Sequence, residues 1–258
     1  MRLFQLGIPI GSIDVLLLTH FHSDHVVGIP DLWLTGWLGG RFGCRTTPMR
    51  VIGPAGTKRL LFHMAKAFSA DIAIRTADEQ LPECGSQIDA HEFSTDGVIF
   101  SDKALRVSCF EVDHGRLIKP AFGYRFDYAG QSTVISGDTR YSENLIAHSQ
   151  NADLLVHEVA LAHPEAMKME RVRRVIGHHS TPEDAARVFN RTRPRLAVYN
   201  HIVLISDDEN DPPSIDDLIS ETRRHYSGPL VIGTDLLSFD VGSSGVATSS
   251  GTDLYMAR

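Results

Sequence analysis

Five short apolar runs in this chain each lead straight into a titratable side chain, and that recurrence limits the fold more than any bulk property does. Residues 14–18 (DVLLL) lead into Thr19-His20, 105–112 (LRVSCFEV) into Asp113-His114, and 133–136 (TVIS) into Gly137-Asp138-Thr139. The runs 153–156 (DLLV) and 195–199 (RLAVY) lead into His157-Glu158 and Asn200-His201. Short apolar runs bounded by turn residues read as buried strands. Strands that deliver ionisable groups at one edge are an α/β pattern, because such sheets carry their ligand sites at the carboxyl ends of strands. Further strands are expected at 50–52 and, from alternation, at 121–128. Helices are expected at 30–38, 57–68, 142–149, 182–192 and 214–226. For the fourth of these, Thr181 can cap, Pro182 suits the first helical position, and Asp184 stands where a capping box places its acid. With no repeat and no low-complexity stretch, the mixture predicts one α/β or α+β domain over 1–258. A solvated loop is expected at 206–214, and a flexible tail at 241–258.

The densest polar feature is His20-Phe21-His22-Ser23-Asp24-His25. In a loop leaving a strand, His20 and His22 can face one point while Asp24 and His25 face a second. Neutral imidazoles and carboxylates are the ligands of borderline divalent metals such as zinc. A chain of 258 residues, 42% hydrophobic, can bury a sizeable core without a metal staple, so a metal here is functional rather than structural. The net charge of -7 and pI near 6.0 lack the basic balance of a general nucleic-acid binder, although a local basic patch is compatible with them. Cys44, Cys84 and Cys109 have no metal-ligand spacing and are expected as reduced, partly buried thiols. No stretch approaches the roughly 20 apolar residues of a membrane span and no cleavage site follows Arg2, so a soluble cytoplasmic protein is expected.

His20-x-His22-x-Asp24-His25, followed by His114, Asp138 in Ser-Gly-Asp-Thr, and His201, resembles the metallo-β-lactamase superfamily. His157-Glu158, His179-Ser180-Thr181 and Asn200-His201 resemble its ribonuclease Z and arylsulfatase-like branch. The resemblance spans roughly residues 5–240. It implies an αββα sandwich and two divalent metal ions: zinc first, with Mn2+ or Fe2+ as alternatives. It also implies a ligand set. His20, His22 and His114 would hold one metal, Asp24, His25 and His201 the other, and Asp138 would bridge them. A shared carboxylate is physically reasonable, since two dications roughly 3.5–4 Å apart repel and an anion between them offsets this. The implied reaction is attack of a metal-bridging hydroxide on an ester. His179 would protonate the leaving alkoxide, Glu158 would orient and charge-stabilise His179, and Asp24 counts as catalytic as well as a ligand.

Other features have plainer readings. His157 is balanced between a supporting role and a buried core histidine, and His178 is expected to face solvent. Trp33 and Trp37, four apart on one helix, read first as core and second as a pocket wall. Gly53-Pro54-Ala55-Gly56-Thr57 reads as a tight strand-to-helix turn rather than an anion cradle, lacking the lysine of a phosphate loop. The basic groups Arg171/Arg173/Arg174 and Arg187/Arg191/Arg193/Arg195 read as solvated charge, with binding of an anionic substrate as the lesser alternative.

Two departures from the resemblance matter. Many ribonuclease Z proteins insert a basic, tRNA-gripping arm between the third histidine and Gly-Asp-Thr, whereas residues 115–137 here suffice for one hairpin. The superfamily also places strands ahead of the metal run; Met1–Asp14 reads as the helix that follows them, so either the start is misplaced or the fold lacks the usual first N-terminal strands. An edge left unpaired there would invite homodimerisation. The leading expectation is a two-metal hydrolase of a small anionic ester, a sulfate ester or a phosphodiester. The alternatives are a ribonuclease Z-type endonuclease acting on a tRNA precursor, a β-lactam or other acyl hydrolase, and a non-catalytic metal-binding scaffold.

Overall fold

The structure, a computed structural model, describes residues 2–250. Contacts divide the chain into two compact units. One holds the residues up to Ser94 with Asp235–Ser238, and the other holds Thr95–Thr234 with Phe239–Thr248.

In the first unit, α1 (Arg2–Gln5) and a short turn of 3-10 helix precede β1 (Val15–Leu17). Then come α2 (Ser23–Val26), α3 (Ile29–Trp37), β2 (Met49–Pro54), α4 (Thr57–Ala67), α5 (Ser69–Asp78) and β3 (Ile88–Phe93). The three strands form one parallel sheet in the order β1-β2-β3. Leu18, Val26, Ile29, Trp33, Met49, Val51 and Leu61 form its core. Trp33 and Trp37 are both buried, and their indole N–H groups donate to Ser86 O at 2.9 Å and Pro82 O at 2.8 Å. Buried indoles with satisfied N–H groups are core residues, as first read. The Gly53–Thr57 turn is likewise closed to an outside anion. Gly56 takes φ 110° at the start of α4, and the amides of Gly56 and Lys58 donate to Glu92 Oε1 at 2.9 and 2.8 Å. The chain's own carboxylate therefore occupies this helix N-terminus.

The second unit carries β4 (Gly97–Asp102), β5 (Leu105–Glu111), β6 (Phe122–Tyr128), β7 (Gln131–Ile135), α6 (Glu143–His148) and β8 (Leu154–Ala162). It continues with α7 (Glu170–Ile176), α8 (Pro182–Thr192), β9 (Leu196–Ile205), α9 (Ile215–Arg223) and β10 (Leu230–Ile232). Seven strands make one sheet, ordered β10-β9-β8-β7-β6-β5-β4, antiparallel from β4 to β7 and parallel from β7 to β10. Residues 115–137 hold a loop and one hairpin, closed by Ala129 (φ 49°) and Gly130 (φ 84°), the two positive φ values of a tight hairpin turn. Helix α8 starts as expected: the Thr181 hydroxyl accepts from Asp184 N, and its buried face carries Ala185, Val188 and Phe189 into a core with Phe110, Leu155 and Tyr199.

The structure departs from the sequence expectations at several points. Strands β8 and β9 do not end at 156 and 199 but run on through His157-Glu158 and Asn200-His201, whose polarity had suggested strand ends. Helices α5 and α7 and strands β3, β4 and β10 were not foreseen; α5 buries no residue, so it leaves little periodic signal. Residues 241–250, expected as tail, complete the hairpin of β11 (Leu237–Gly242) and β12 (Gly245–Ser250), in which Phe239, Val241 and Val246 pack on Leu154, Leu196 and Val198. The expected tail residues 251–258 lie outside the described residues. No helix among the described residues is long and apolar enough to cross a membrane.

Candidate metal centre

The chain leaves β1 through Leu18, whose amide donates to Ile52 O at 3.0 Å, and so delivers His20 into the interior, where it is fully buried. Its two ring nitrogens lie 3.1 Å from Thr19 Oγ1 and 3.1 Å from His22 Nδ1. His22 sits at the N-cap of the four-residue helix α2, and that single turn folds the next residues back. The His25 ring comes 4.1 Å from that of His20, and His25 Nε2 lies 3.2 Å from Asp24 Oδ2. Four potential ligands are thus gathered by one strand end and one helical turn.

The second unit gathers its own set. His114 follows β5 and is buried; its Nδ1 donates to the His178 carbonyl at 2.7 Å, which leaves Nε2 as the lone-pair nitrogen, 3.8 Å from Asp138 Oδ2. Burial pushes the His114 pKa down to about 4, so the ring is neutral, the form that binds metals. Asp138 sits in the turn after β7, where Gly137 takes φ 61°. Its Oδ2 also lies 3.4 Å from His201 Nε2. His201 arrives there through a β-bulge. Glu158 pairs with Asn200 and Val159 with Ile202, so His201 is the extra residue, with φ 41°. A bulge redirects a side chain at the cost of local pairing, and here it redirects a candidate ligand. Ligand atoms of Asp138, His179 and His201 all lie within 4.8 Å of one another, and so do those of His114, His178 and His179. A carboxylate faced by imidazole nitrogens is a donor set that suits a divalent cation.

Behind this set lies a fixed carboxylate. Glu158, buried in the middle of β8, accepts at Oε1 from Thr139 N (2.9 Å), Ser180 N (3.1 Å) and His179 Nδ1 (3.1 Å). Its Oε2 is buried without a hydrogen-bond partner among the described residues. Burial raises the Glu158 pKa, and the bond from His179 opposes that rise. The His179 ring lies 5.7 Å from that of His201 and 5.0 Å from that of His114.

Some assignments change on this geometry. His178, expected in solvent, is half-buried and fixes His114 through its carbonyl. His157 is fully buried against Phe189, donates from Nδ1 to Glu158 O at 2.5 Å, and is held near pKa 4 by burial, which makes it a neutral core histidine. Cys44 and Cys84 are exposed; Cys109 alone is buried. Much of the basic charge is paired internally, Arg174 with Glu170, Arg187 with Asp184 and Arg191 with Glu143. Sequence reasoning quoted Thr139 and Ser180 within motifs but gave them no role; the Ser180 hydroxyl donates to Thr139 O at 2.7 Å. Ser180 follows His179 directly, and that adjacency was the available signal.

The model of the Beta-lactamase superfamily domain matches residues 5–202. The chain is 31% identical over 236 residues to the Ribonuclease Z of Mycolicibacterium gilvum (strain PYR-GCK), covering 91% of this chain and 80% of that one. Among solved structures it is similar to human tRNase Z, short form, with a TM-score of 0.65 at 20% identity, covering 93% of this chain and 83% of that one. It is also similar to the metallo-beta-lactamase fold protein YhfI from Bacillus subtilis, with a TM-score of 0.61 at 17% identity, covering 88% and 78%. These likenesses show the metallo-β-lactamase fold.

Proposed function

We propose, from the premise that the chain belongs to the metallo-β-lactamase superfamily and is a metal-dependent hydrolase of ester bonds, that it is a ribonuclease Z-type phosphodiesterase acting on RNA. The buried Glu158–His179 pair beside Asp138 carries this reading, together with the ribonuclease Z relative. Cleaving RNA next to a 3′ extension releases an alkoxide, a poor leaving group that needs a proton. A nitrophenolate or an enolate does not.

His20, His22, Asp24 and His25 of the first unit and His114, Asp138 and His201 of the second are the residues that would hold divalent cations such as zinc. The imidazole and carboxylate donors fit such ions. When bound, two divalent cations bring the pKa of water near neutrality and offset charge on the phosphoryl oxygens. The protein's own groups do the rest. Glu158 holds His179 by Nδ1, so a proton on Nε2 is the one available to the departing oxygen, and the carboxylate stabilises the imidazolium that carries it. The carbonyl of His178 holds His114 in a single tautomer.

A second reading, hydrolysis of a small anionic ester or sulfate ester, is favoured by one observation: residues 115–137 form only a loop and a hairpin. The two readings separate on metal analysis followed by a substrate panel of a 3′-extended tRNA precursor, bis(p-nitrophenyl) phosphate and p-nitrophenyl sulfate. Cleavage of the precursor and of the phosphodiester is expected. Turnover of the sulfate with an untouched precursor would overturn the RNA reading.

A further inference from the structure

The sheet of the second unit has a cavity at the end away from Asp138. It lies where β5, β7, β8 and β9 begin and encloses about 760 Å³. Four arginines line it: Arg106, Arg125, Arg193 and Arg195. Two have their charge matched, Arg125 by Asp127 at 2.9 Å and Arg195 by Asp153 at 3.1 Å. Asp153 is further committed to Ser132 N at 2.8 Å. Arg106 and Arg193 are exposed and have no ion-pair or side-chain hydrogen-bond partner among the described residues. The cavity therefore carries two uncompensated guanidinium groups on a protein whose net charge is -7.

Two details point to a ligand rather than to solvated charge. Arg193 occupies the left-handed position that ends α8 (φ 49°), where glycine is the unstrained residue. Tyr128, at the end of β6 on the same wall, is 59% exposed. Unpaired guanidinium forks suit phosphate oxygens, and an exposed aromatic ring offers a stacking surface to a base. Phosphates and bases together describe a nucleotide chain.

We propose that this arginine-lined cavity is a second RNA-binding site, in which Arg106 and Arg193 hold backbone phosphates and Tyr128 stacks on an unpaired base. The proposal rests on the RNA reading above. Strand β7 alone separates the cavity from the Asp138 turn by roughly 15–20 Å. A nucleic-acid chain spans that length and a small ester does not.

The test compares the wild-type protein with Arg106→Ala/Arg193→Ala and with Tyr128→Ala, each checked for an unchanged melting temperature. Binding of a fluorescein-labelled single-stranded RNA 12-mer is followed by anisotropy in EDTA across a salt series. Each phosphate contact contributes about 0.7 to the slope of log K against log salt. The double variant should lose roughly 1.4 from that slope, and Tyr128→Ala should bind about fivefold more weakly or worse. With metals restored, KM for the tRNA precursor should rise while kcat, and all hydrolysis of bis(p-nitrophenyl) phosphate, stay unchanged. Unaltered slope and KM in the double variant would overturn the site while leaving the RNA activity standing. Should the wild type cleave no RNA, the binding slopes still decide the site separately. AMP displacing the 12-mer at an equal phosphate concentration would assign a mononucleotide pocket and overturn the proposal.

Discussion

His179 donates from Nδ1 to Glu158 Oε1 at 3.1 Å, and the same oxygen receives the amides of Thr139 and Ser180. One buried carboxylate oxygen therefore ties together three pieces of chain: the turn that carries Asp138, the strand β8, and the segment that starts α8. Its position inside a strand rather than at a strand end explains the rigidity. Strand β9 pairs with β8 through Glu158, and the Glu158 amide donates to Ser136 Oγ at 3.2 Å on the other side, so Glu158 has little freedom to follow a moving ligand.

The proton role of His179 is tested by the leaving group. In His179→Ala, with metal content unchanged, kcat for the tRNA precursor should fall about 10²- to 10⁴-fold, the range of a general acid. Hydrolysis of bis(p-nitrophenyl) phosphate should fall far less, because nitrophenolate leaves without a proton. An equal loss on both substrates would show that His179 acts otherwise.

Glu158→Gln keeps an acceptor of the same shape and removes the charge. A loss of about 10- to 100-fold in kcat is expected, as for other groups that orient a histidine from behind. Thermal stability should hold or improve, since burial already disfavours the carboxylate. Unaltered turnover in this variant would remove Glu158 from the mechanism.

His201 combines a ligand role with a strained backbone. Its φ of 41° belongs to the left-handed region, where a residue with a Cβ sits at a cost of about 1 kcal/mol relative to glycine. His201→Gly and His201→Ala should both lose bound metal and activity. In EDTA, however, the glycine variant should be the more stable of the two by about 1 kcal/mol in a urea titration. Equal midpoints would mean that the bulge relaxes around alanine.

Why part of this arrangement was legible in sequence and part was not follows from how each residue is signalled. His20 to His25 stands out because four candidate ligands fall within six residues, and His114 and Asp138 because each follows an apolar run. The extents of β8 and β9 were hidden because His157, Glu158, Asn200 and His201 interrupt the apolar pattern that marks a strand, while the ladder runs through them. The bulge at His201 has no sequence signature, since nothing in Tyr-Asn-His-Ile marks an extra residue. The roles of Thr139 and Ser180 were not legible because a backbone amide reaching a distant carboxylate leaves no trace in side-chain spacing.

His157 offers a pH test of folding that is independent of catalysis. The ring is fully buried, and burial moves its pKa from 6.5 to about 4. The unfolded chain takes up a proton as pH falls through 6.5, whereas the folded chain does not until about 4, so the unfolded state gains throughout that window. Stability is therefore lost as the solution is acidified below the ordinary histidine value, and the loss levels off once the folded ring also protonates. Between pH 6.5 and 5 this group alone should remove about 1.5 kcal/mol, because the slope of about 1.36 kcal/mol per unit is approached only below the unfolded value. His157→Asn keeps a donor near Nδ1 and cannot titrate, so its urea midpoint in EDTA should fall less steeply over the same range. Parallel curves for the two proteins would show that the buried imidazole finds a way to hold its proton.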